Sequence, residues 1–262
     1  MEEIQSSGSF KQISLDLRKK DELYQLGTTF NKMITLLKTQ FERQQQFVSD
    51  ASHELKTPLT VIESYANMLK RWGKKREDVL EEAVEAIHSE SIRMKELTNQ
   101  MLELASEDSQ LNLESETIDL AAIAVESAKN MEMAYKRTIT ITGARENVLI
   151  KGDKHKIKQL LFIFLDNAVK YSKDTITINL SKTDTIRCEV IDNGPGMAKE
   201  DIDHIFERFY RVDKARSRET GGAGLGLSIA QKIVKAHAGE IQVESKVGEG
   251  TKMICIFPRI DQ

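Results

Sequence analysis

The 262-residue sequence holds only 2 cysteines, 3 prolines and 1 tryptophan, and 6% of its residues are aromatic. Cys188 and Cys255 lie far apart in apolar alternating segments, with no CxxC spacing and no clustered histidines. That excludes a disulfide framework and a zinc site, and reads as two buried, reduced thiols. An excess of one charge is also missing. The 38 Lys+Arg face 41 Asp+Glu for a formal net charge of -3, so no bulk attraction to nucleic acid exists and none is expected as a partner. No apolar run approaches the roughly 20 residues that span a bilayer. The longest, at 120–125 and 160–165, are bounded by polar residues, and Met1-Glu2-Glu3 lacks the basic flank of a secretory signal. The sequence as it stands is expected to be soluble.

What is present is 40% hydrophobic and 30% charged, at a length that suits one large domain or two modest ones. Nine of the 14 glycines lie between Gly194 and Gly250. Such an imbalance predicts a helical part followed by a part whose loops approach something closely. From Asp21 onward, Leu26, Phe30, Met33, Leu37, Phe47 and Ala51 recur at helical spacing, with Gln40 and Gln44 at two seam positions. A seam this long implies a partner helix. Gly73 and its charged neighbours interrupt the pattern, which resumes through Val79, Ala83, Ile87, Met94, Leu97, Met101 and Leu104. The result is a helical hairpin, and two hairpins make a four-helix bundle.

Beyond residue 107 the pattern changes. Helices are predicted over 117–135, 154–171 and 226–237, with strands over 138–142, 148–151, 175–180, 185–192, 240–245 and 251–257. A loop-rich stretch fills 193–224. This composition predicts an α/β layer with helices on one face.

One histidine sits on the wrong face to be structural. On a helical wheel starting at Phe47, the residues Ala51, Leu55, Ile62 and Leu69 form a stripe centred near 60°. His53 falls at about 240°, opposite that stripe, and Thr57 falls beside it at about 280°. Glu54 follows directly, and Pro58 lacks the amide that would bond the Glu54 carbonyl. An exposed neutral imidazole is a competent nucleophile, although plain solvent exposure accounts for the wheel equally well. The run His53-Glu54-Leu55-Lys56-Thr57-Pro58 resembles the phospho-acceptor box of bacterial sensor histidine kinases.

The second half carries further matches. Asp166, Asn167 and Lys170 share a polar stripe with Gln159 on an otherwise apolar helix, and 165–172 resembles the N box of the same family. Ile186, Cys188, Val190 and Asp192 alternate onto one strand face, so a carboxylate ends an apolar row and needs a donor. Asp192-Asn193-Gly194-Pro195-Gly196 makes a turn by itself, and it also resembles the first glycine box. Gly221-Gly222-Ala223-Gly224-Leu225-Gly226 opens a helix without the Gly-Lys-Ser/Thr of a Walker A loop. It resembles the second glycine box, with 206–211 matching the phenylalanine box between the two.

The resemblance implies a two-domain α+β protein, with a dimeric helical hairpin ahead of an ATP-binding α/β sandwich of the gyrase and Hsp90 type. Residues 1–42 would be a partial HAMP linker and signalling helix, 43–107 the dimerisation and phosphotransfer domain, and 108–262 the catalytic domain. It implies an ATP-dependent kinase in which His53 accepts the γ-phosphoryl, Glu54 handles the imidazole proton and Thr57 positions water for a phosphatase reaction. Asn167 would hold Mg²⁺. Lys170, Tyr171, Asp192, Gly194, Gly196, Arg218, Gly222, Gly224, Leu225 and Gly226 would contact ATP, with Lys214, Arg216 and Arg218 in a lid. Implied partners are a second copy and a response regulator receiver domain. The resemblance also implies a membrane-anchored bacterial parent with this part in the cytoplasm. Three residues depart from the family pattern: Ile163 in the polar stripe, Ala223 in the second glycine box and Tyr24 in the linker. A nucleotide-binding signalling scaffold, or an ATPase with an idle histidine, would use the same second half.

Overall fold

A computed structural model describes residues 13, 22–73, 76–106, 113–144, 147–212 and 222–260. Gly8, Lys214, Arg216, Arg218 and Gly221 lie outside the described residues. The chain divides into two compact units, Met1–Ser91 and Ile92–Gln262.

The first unit is built on helix α1, Glu22–Trp72, which continues through Pro58. A turn at Gly73 leads into α2, Glu77–Ala105, whose later turns belong to the second unit. The Tyr65 hydroxyl reaches Glu82 at 3.4 Å across the hairpin. Buried positions on these helices include Ile34, Pro58, Val79 and Ala83. Leu26, Leu37, Phe41, Val48, Leu59, Leu80 and Val84 stay exposed, so the seam has only part of its apolar surface covered within one chain. No helix among the described residues is long and apolar enough to cross a membrane.

The second unit sets three helices against a five-stranded sheet. Its elements are β1 (Glu116–Asp119), α3 (Leu120–Tyr135), β2 (Ile139–Gly143), β3 (Leu149–Gly152), α4 (Lys154–Tyr171), β4 (Ile176–Lys182) and β5 (Thr185–Asp192). After them come a short α5 (Lys199–Ile202), α6 (Gly226–Ala236), β6 (Glu240–Lys246) and β7 (Gly250–Pro258). The sheet order is β2-β4-β5-β7-β6, parallel between β2 and β4 and antiparallel elsewhere. β1 and β3 form a separate antiparallel pair.

Residues 117–119 are predicted as helix above, and that is corrected: they are strand. Thr117 pairs with Lys151, and Asp119 is the extended N-cap whose Oδ1 accepts the Ala121 amide at 3.0 Å. An acidic N-cap satisfies a helix-terminal amide better than a further helical turn would. The loop-rich stretch likewise contains the short helix α5.

One sheet face carries Ile176, Ile178, Leu180, Ile186, Val190 and Phe257, all buried, as alternation requires for strands covered on one side. The opposite face carries a polar row across all five strands. Thr142 donates to Asn179 at 3.1 Å, and Asn179 donates to Glu189 at 2.9 Å. Arg187 joins Glu189 at 2.7 Å to Glu244 at 3.8 Å, and Lys252 meets Glu244 at 2.9 Å. Burial alone would raise the Glu189 carboxyl. The bonds from Asn179 and Arg187, with the nearby cationic charges, outweigh it and hold the group below its ordinary value.

The end of α2 is tied to α4 and α6. Lys156 pairs with Glu103, and Gln159 donates to the same carboxylate at 2.7 Å. Lys232 donates to the Glu103 carbonyl at 2.8 Å and to the Ser106 carbonyl, while Arg208 reaches the Leu104 carbonyl at 3.4 Å. Cations on the last carbonyls of a helix satisfy acceptors that have no intrahelical partner.

Because Glu189 titrates below its unfolded value, it stabilises the fold above the ordinary glutamate range, and that contribution is lost as pH falls through the folded pKa. Asn179→Leu removes its amide donor. Denaturant unfolding near neutral pH should show a loss of about 1–3 kcal/mol, with a shallower dependence on pH on the acidic side than in the parent chain.

Candidate functional site

The candidate site of the second unit is built around a carboxylate at the end of a strand. Asp192 is buried, and its Oδ1 accepts the Gly194 amide at 2.7 Å. Burial pushes its carboxyl above the ordinary value, partly offset by the amides of Gly194 and Thr251. A carboxylate with two amide donors keeps lone pairs that an external N–H could use.

The turn after Asp192 doubles back onto the β6–β7 hairpin. The Gly248 amide donates to the Pro195 carbonyl at 2.7 Å, and the Met197 amide donates to Ser245 Oγ at 2.9 Å. Two glycines are required here. Gly196 has φ +64, and a Cβ there would lie 1.9 Å from the Lys246 carbonyl oxygen. Gly250 has φ +98, and its Cβ would lie 2.0 Å from the Asp192 carbonyl oxygen. L-residues avoid that conformation, and the backbone contacts leave no room for a side chain. Gly194 is pinched between the Asp192 carboxylate and the Tyr171 carbonyl, each 2.7 Å from where a Cβ would stand.

Tyr171 ends α4, so this contact brings the N-box helix to the glycine turn. The helix starts at Asp153, whose Oδ1 caps the amides of His155 and Lys156 at 2.8 and 3.1 Å. Its apolar face, including Ile157, Leu160, Phe164 and Leu165, is buried and sets the angle of the polar stripe. Asn167 is half-buried, and its amide makes no hydrogen bond to a described residue, which leaves a carbonyl oxygen for a hard cation. Lys170 pairs with Asp166 at 2.6 Å, and Asp166 also accepts from the Tyr135 hydroxyl at 3.2 Å. The lysine is thus held along α4 by its neighbour.

The second glycine segment meets the phenylalanine-box segment through its backbone. The Phe209 amide donates to the Gly224 carbonyl at 2.9 Å, and Phe209 itself has φ +63. Leu225 is buried and precedes α6 without a side-chain cap of its own, so among the described residues no N-cap side chain occupies the first amides of α6. Gly226 lies against Ile163 Cγ2, 3.3 Å from the Cβ position, so the departing isoleucine packs on the start of α6 and offers no ligand atom. Gly222 has open space around it. Arg218 lies outside the described residues.

In the first unit His53 is exposed, as is Thr57, whose hydroxyl lies 3.5 Å from the His53 carbonyl oxygen. Pro58, one residue on, is buried. The imidazole therefore stands away from the stripe that Pro58 and the half-buried Ala51, Leu55 and Ile62 form.

Residues 152–261 match the model of the histidine kinase-, DNA gyrase B- and HSP90-like ATPase family, and residues 43–110 match the His Kinase A phospho-acceptor domain. The chain is 50% identical over 258 residues to the sensor histidine kinase YkoH of Bacillus subtilis, covering 98% of this chain and 57% of that protein. It is 39% identical over 265 residues to the signal transduction histidine-protein kinase ArlS of Staphylococcus aureus, covering 98% and 58%. The chain belongs to the sensor histidine kinases. It spans less than two thirds of either relative's length. The crystal structure of histidine kinase ThkA in complex with the response regulator protein TrrA matches with a TM-score of 0.68, over 85% of this chain and 64% of that one. At 22% identity this shows a shared fold.

The sequence patterns place the polar stripe and the glycine turns, and miss what pins them. Ser245 and Gly248 carry no role in the sequence reading, and the bonds from Met197 and Gly248 place them, with Gly250, against the first glycine turn. The i,i+4 spacing of Asp166 and Lys170 is the local signal that could have paired them.

Since the folded chain holds the Asp192 carboxyl above its unfolded value, its ionised form costs stability near neutral pH, and that cost is relieved as pH falls from the folded pKa toward the unfolded one. Asp192→Asn should therefore raise the denaturation midpoint of the chain at pH 7. The gain should shrink on acidification, as read by urea titrations at two pH values.

Proposed function

We propose that the chain is the kinase portion of a two-component sensor: it phosphorylates His53 from ATP and passes the phosphoryl group to an aspartate of a response regulator receiver domain. The observation that carries the reading is the exposed imidazole of His53 opposite the covered face of α1, inside the segment matched by the phospho-acceptor family. The ATPase-family segment supports ATP as the donor. Asp192, with its raised carboxyl, accepts the exocyclic amine of adenine, and the uncapped start of α6 faces the phosphates.

The free amide oxygen of Asn167 fits Mg²⁺, which binds through one or two protein oxygens together with substrate phosphates and waters. When bound, the ion neutralises phosphate charge. Lys170, Tyr171, Gly194, Gly196, Gly222, Gly224, Leu225, Gly226 and Arg218 line or cover the nucleotide. The neutral His53 nitrogen attacks the γ-phosphorus, the bond to the β,γ-bridging oxygen breaks, ADP departs, and Glu54 takes or steers the imidazole proton. Positioning and charge neutralisation supply most of the rate in such a transfer. Thr57, one turn from His53, positions water for the reverse, phosphatase, activity.

The exposed apolar seam of α1 and α2 is covered by a second copy, which completes a four-helix bundle. Residues 1–42 are the remnant of a HAMP linker, 43–107 the dimerisation domain and 108–262 the catalytic domain. The full-length parent anchors in a bacterial membrane through a segment ahead of this one.

Incubation with γ-labelled ATP and Mg²⁺ should give an alkali-stable, acid-labile label that His53→Gln abolishes. A label of equal size on the variant would sink the assignment. Asn167→Ala should weaken Mg·ATP binding at least about tenfold, measured with a fluorescent ATP analogue, while leaving the unfolding midpoint nearly unchanged.

A further inference from the structure

His237 lies just past the last residue of α6 and is buried, 6% exposed. Both ring nitrogens are used. Nε2 accepts the Asp153 backbone amide at 3.0 Å, and Nδ1 lies 2.7 Å from the Ile233 carbonyl oxygen. An amide N–H can only donate, so Nε2 is bare and Nδ1 carries the proton. The ring meets Phe257 of β7 edge-on at a centroid distance of 6.4 Å. Gly152 makes this approach possible, because a Cβ there would lie 2.4 Å from His237 Cδ2.

These contacts have a directional consequence. Asp153 caps the start of α4, and His237 ends α6, so their bond joins the beginning of one helix to the end of the other. Midway along α4, Ile163 lies against Gly226, the first residue of α6. Two fixed points of this kind make α4 and α6 antiparallel and set their register. Past the second point lie Asn167, Lys170 and Tyr171 on α4, and Gly222, Gly224 and Leu225 ahead of α6.

We propose that His237 is a positioning residue: through the Asp153 amide it locks α4 against α6 and so sets the spacing between Asn167 and the second glycine segment at the far end of the pair. The inference rests on the nucleotide reading given above for those residues. A lost staple lets the two helices slide or roll, and an error of about 1 Å between metal ligand and phosphate amides is enough to weaken binding severely. The imidazole suits the task because it offers a donor and an acceptor on one rigid ring at fixed separation.

The test compares His237→Phe, which keeps ring volume without either polar atom, with His237→Gln, which retains one donor and one acceptor. Both are made in the full 262-residue chain. Affinity for a fluorescent ATP analogue with Mg²⁺ is read together with KM and kcat for label on His53. The Phe variant should raise KM for Mg·ATP about tenfold with a smaller change in kcat, and the Gln variant should stay within about threefold of the parent. Equal losses in both variants, or parent-like affinity in a folded Phe variant, overturn the proposal. Nitrogen NMR of the parent chain decides independently of the variants: the ring should show the Nδ1-protonated tautomer and the Asp153 amide should exchange slowly. A ring protonated at Nε2 overturns it. Asn167→Ala runs alongside. If that variant binds Mg·ATP normally, the nucleotide reading has failed, whereas failure of the staple leaves the Asn167 effect intact.

Discussion

The second unit is organised by the need to bury one carboxylate. Asp192 ends an apolar strand face, and desolvation there opposes its charge. The chain answers with a turn tight enough to bring the Gly194 amide back onto the carboxylate at 2.7 Å. Such a turn runs within contact distance of its own backbone, at the Tyr171, Lys246 and Asp192 carbonyls, where a Cβ at Gly194, Gly196 or Gly250 would collide. Three of the nine glycines between Gly194 and Gly250 follow from that crowding. The bonds from Met197 to Ser245 and from Gly248 to Pro195 then hold the turn against β6 and β7, and the amides of Gly194 and Thr251 together fix the carboxylate.

The first unit solves a simpler problem. A long amphipathic helix has one covered side and one wet side, and a reactive imidazole belongs on the wet one. His53 and Thr57 are exposed while Pro58 is buried, so the box is cut across by the boundary between the two sides. The proline costs the helix one amide in a place where its ring contributes to the covered stripe. Accessibility of the nucleophile and stability of the hairpin therefore depend on different faces of the same short segment.

The parts of this architecture that were legible in the sequence are the periodic ones. The bounds of α4 and β5 follow from period and turn residues alone, and the face of His53 follows from a wheel. The boundary before α3 was misread because Thr117 and Ile118 continue a helical spacing, although Asp119 carries an N-cap signal that could have been weighed. Contacts joining distant segments left no local trace. Asp153 and His237 meet across most of a domain, and Thr142, Asn179, Glu189 and Lys252 come from four strands. Their residue types are ordinary for exposed loops and strand faces, and only the sheet order makes them neighbours.

The same long-range logic bears on the end of α2, which belongs to the second unit. The last turn of α2 contributes Glu103, which takes Lys156 and Gln159 of α4, and its final carbonyls take Lys232 of α6. The Lys156 and Glu103 side chains are only 27% and 15% exposed, so this pair is screened less than a surface ion pair and its geometry matters more. Lys156 is itself capped by Asp153, whose own amide is bonded to His237. The end of α2, the start of α4 and the end of α6 thus form one connected network of hydrogen bonds. The helix that carries Asn167 and the helix that follows the second glycine segment are therefore anchored to one and the same helix terminus inside the second unit.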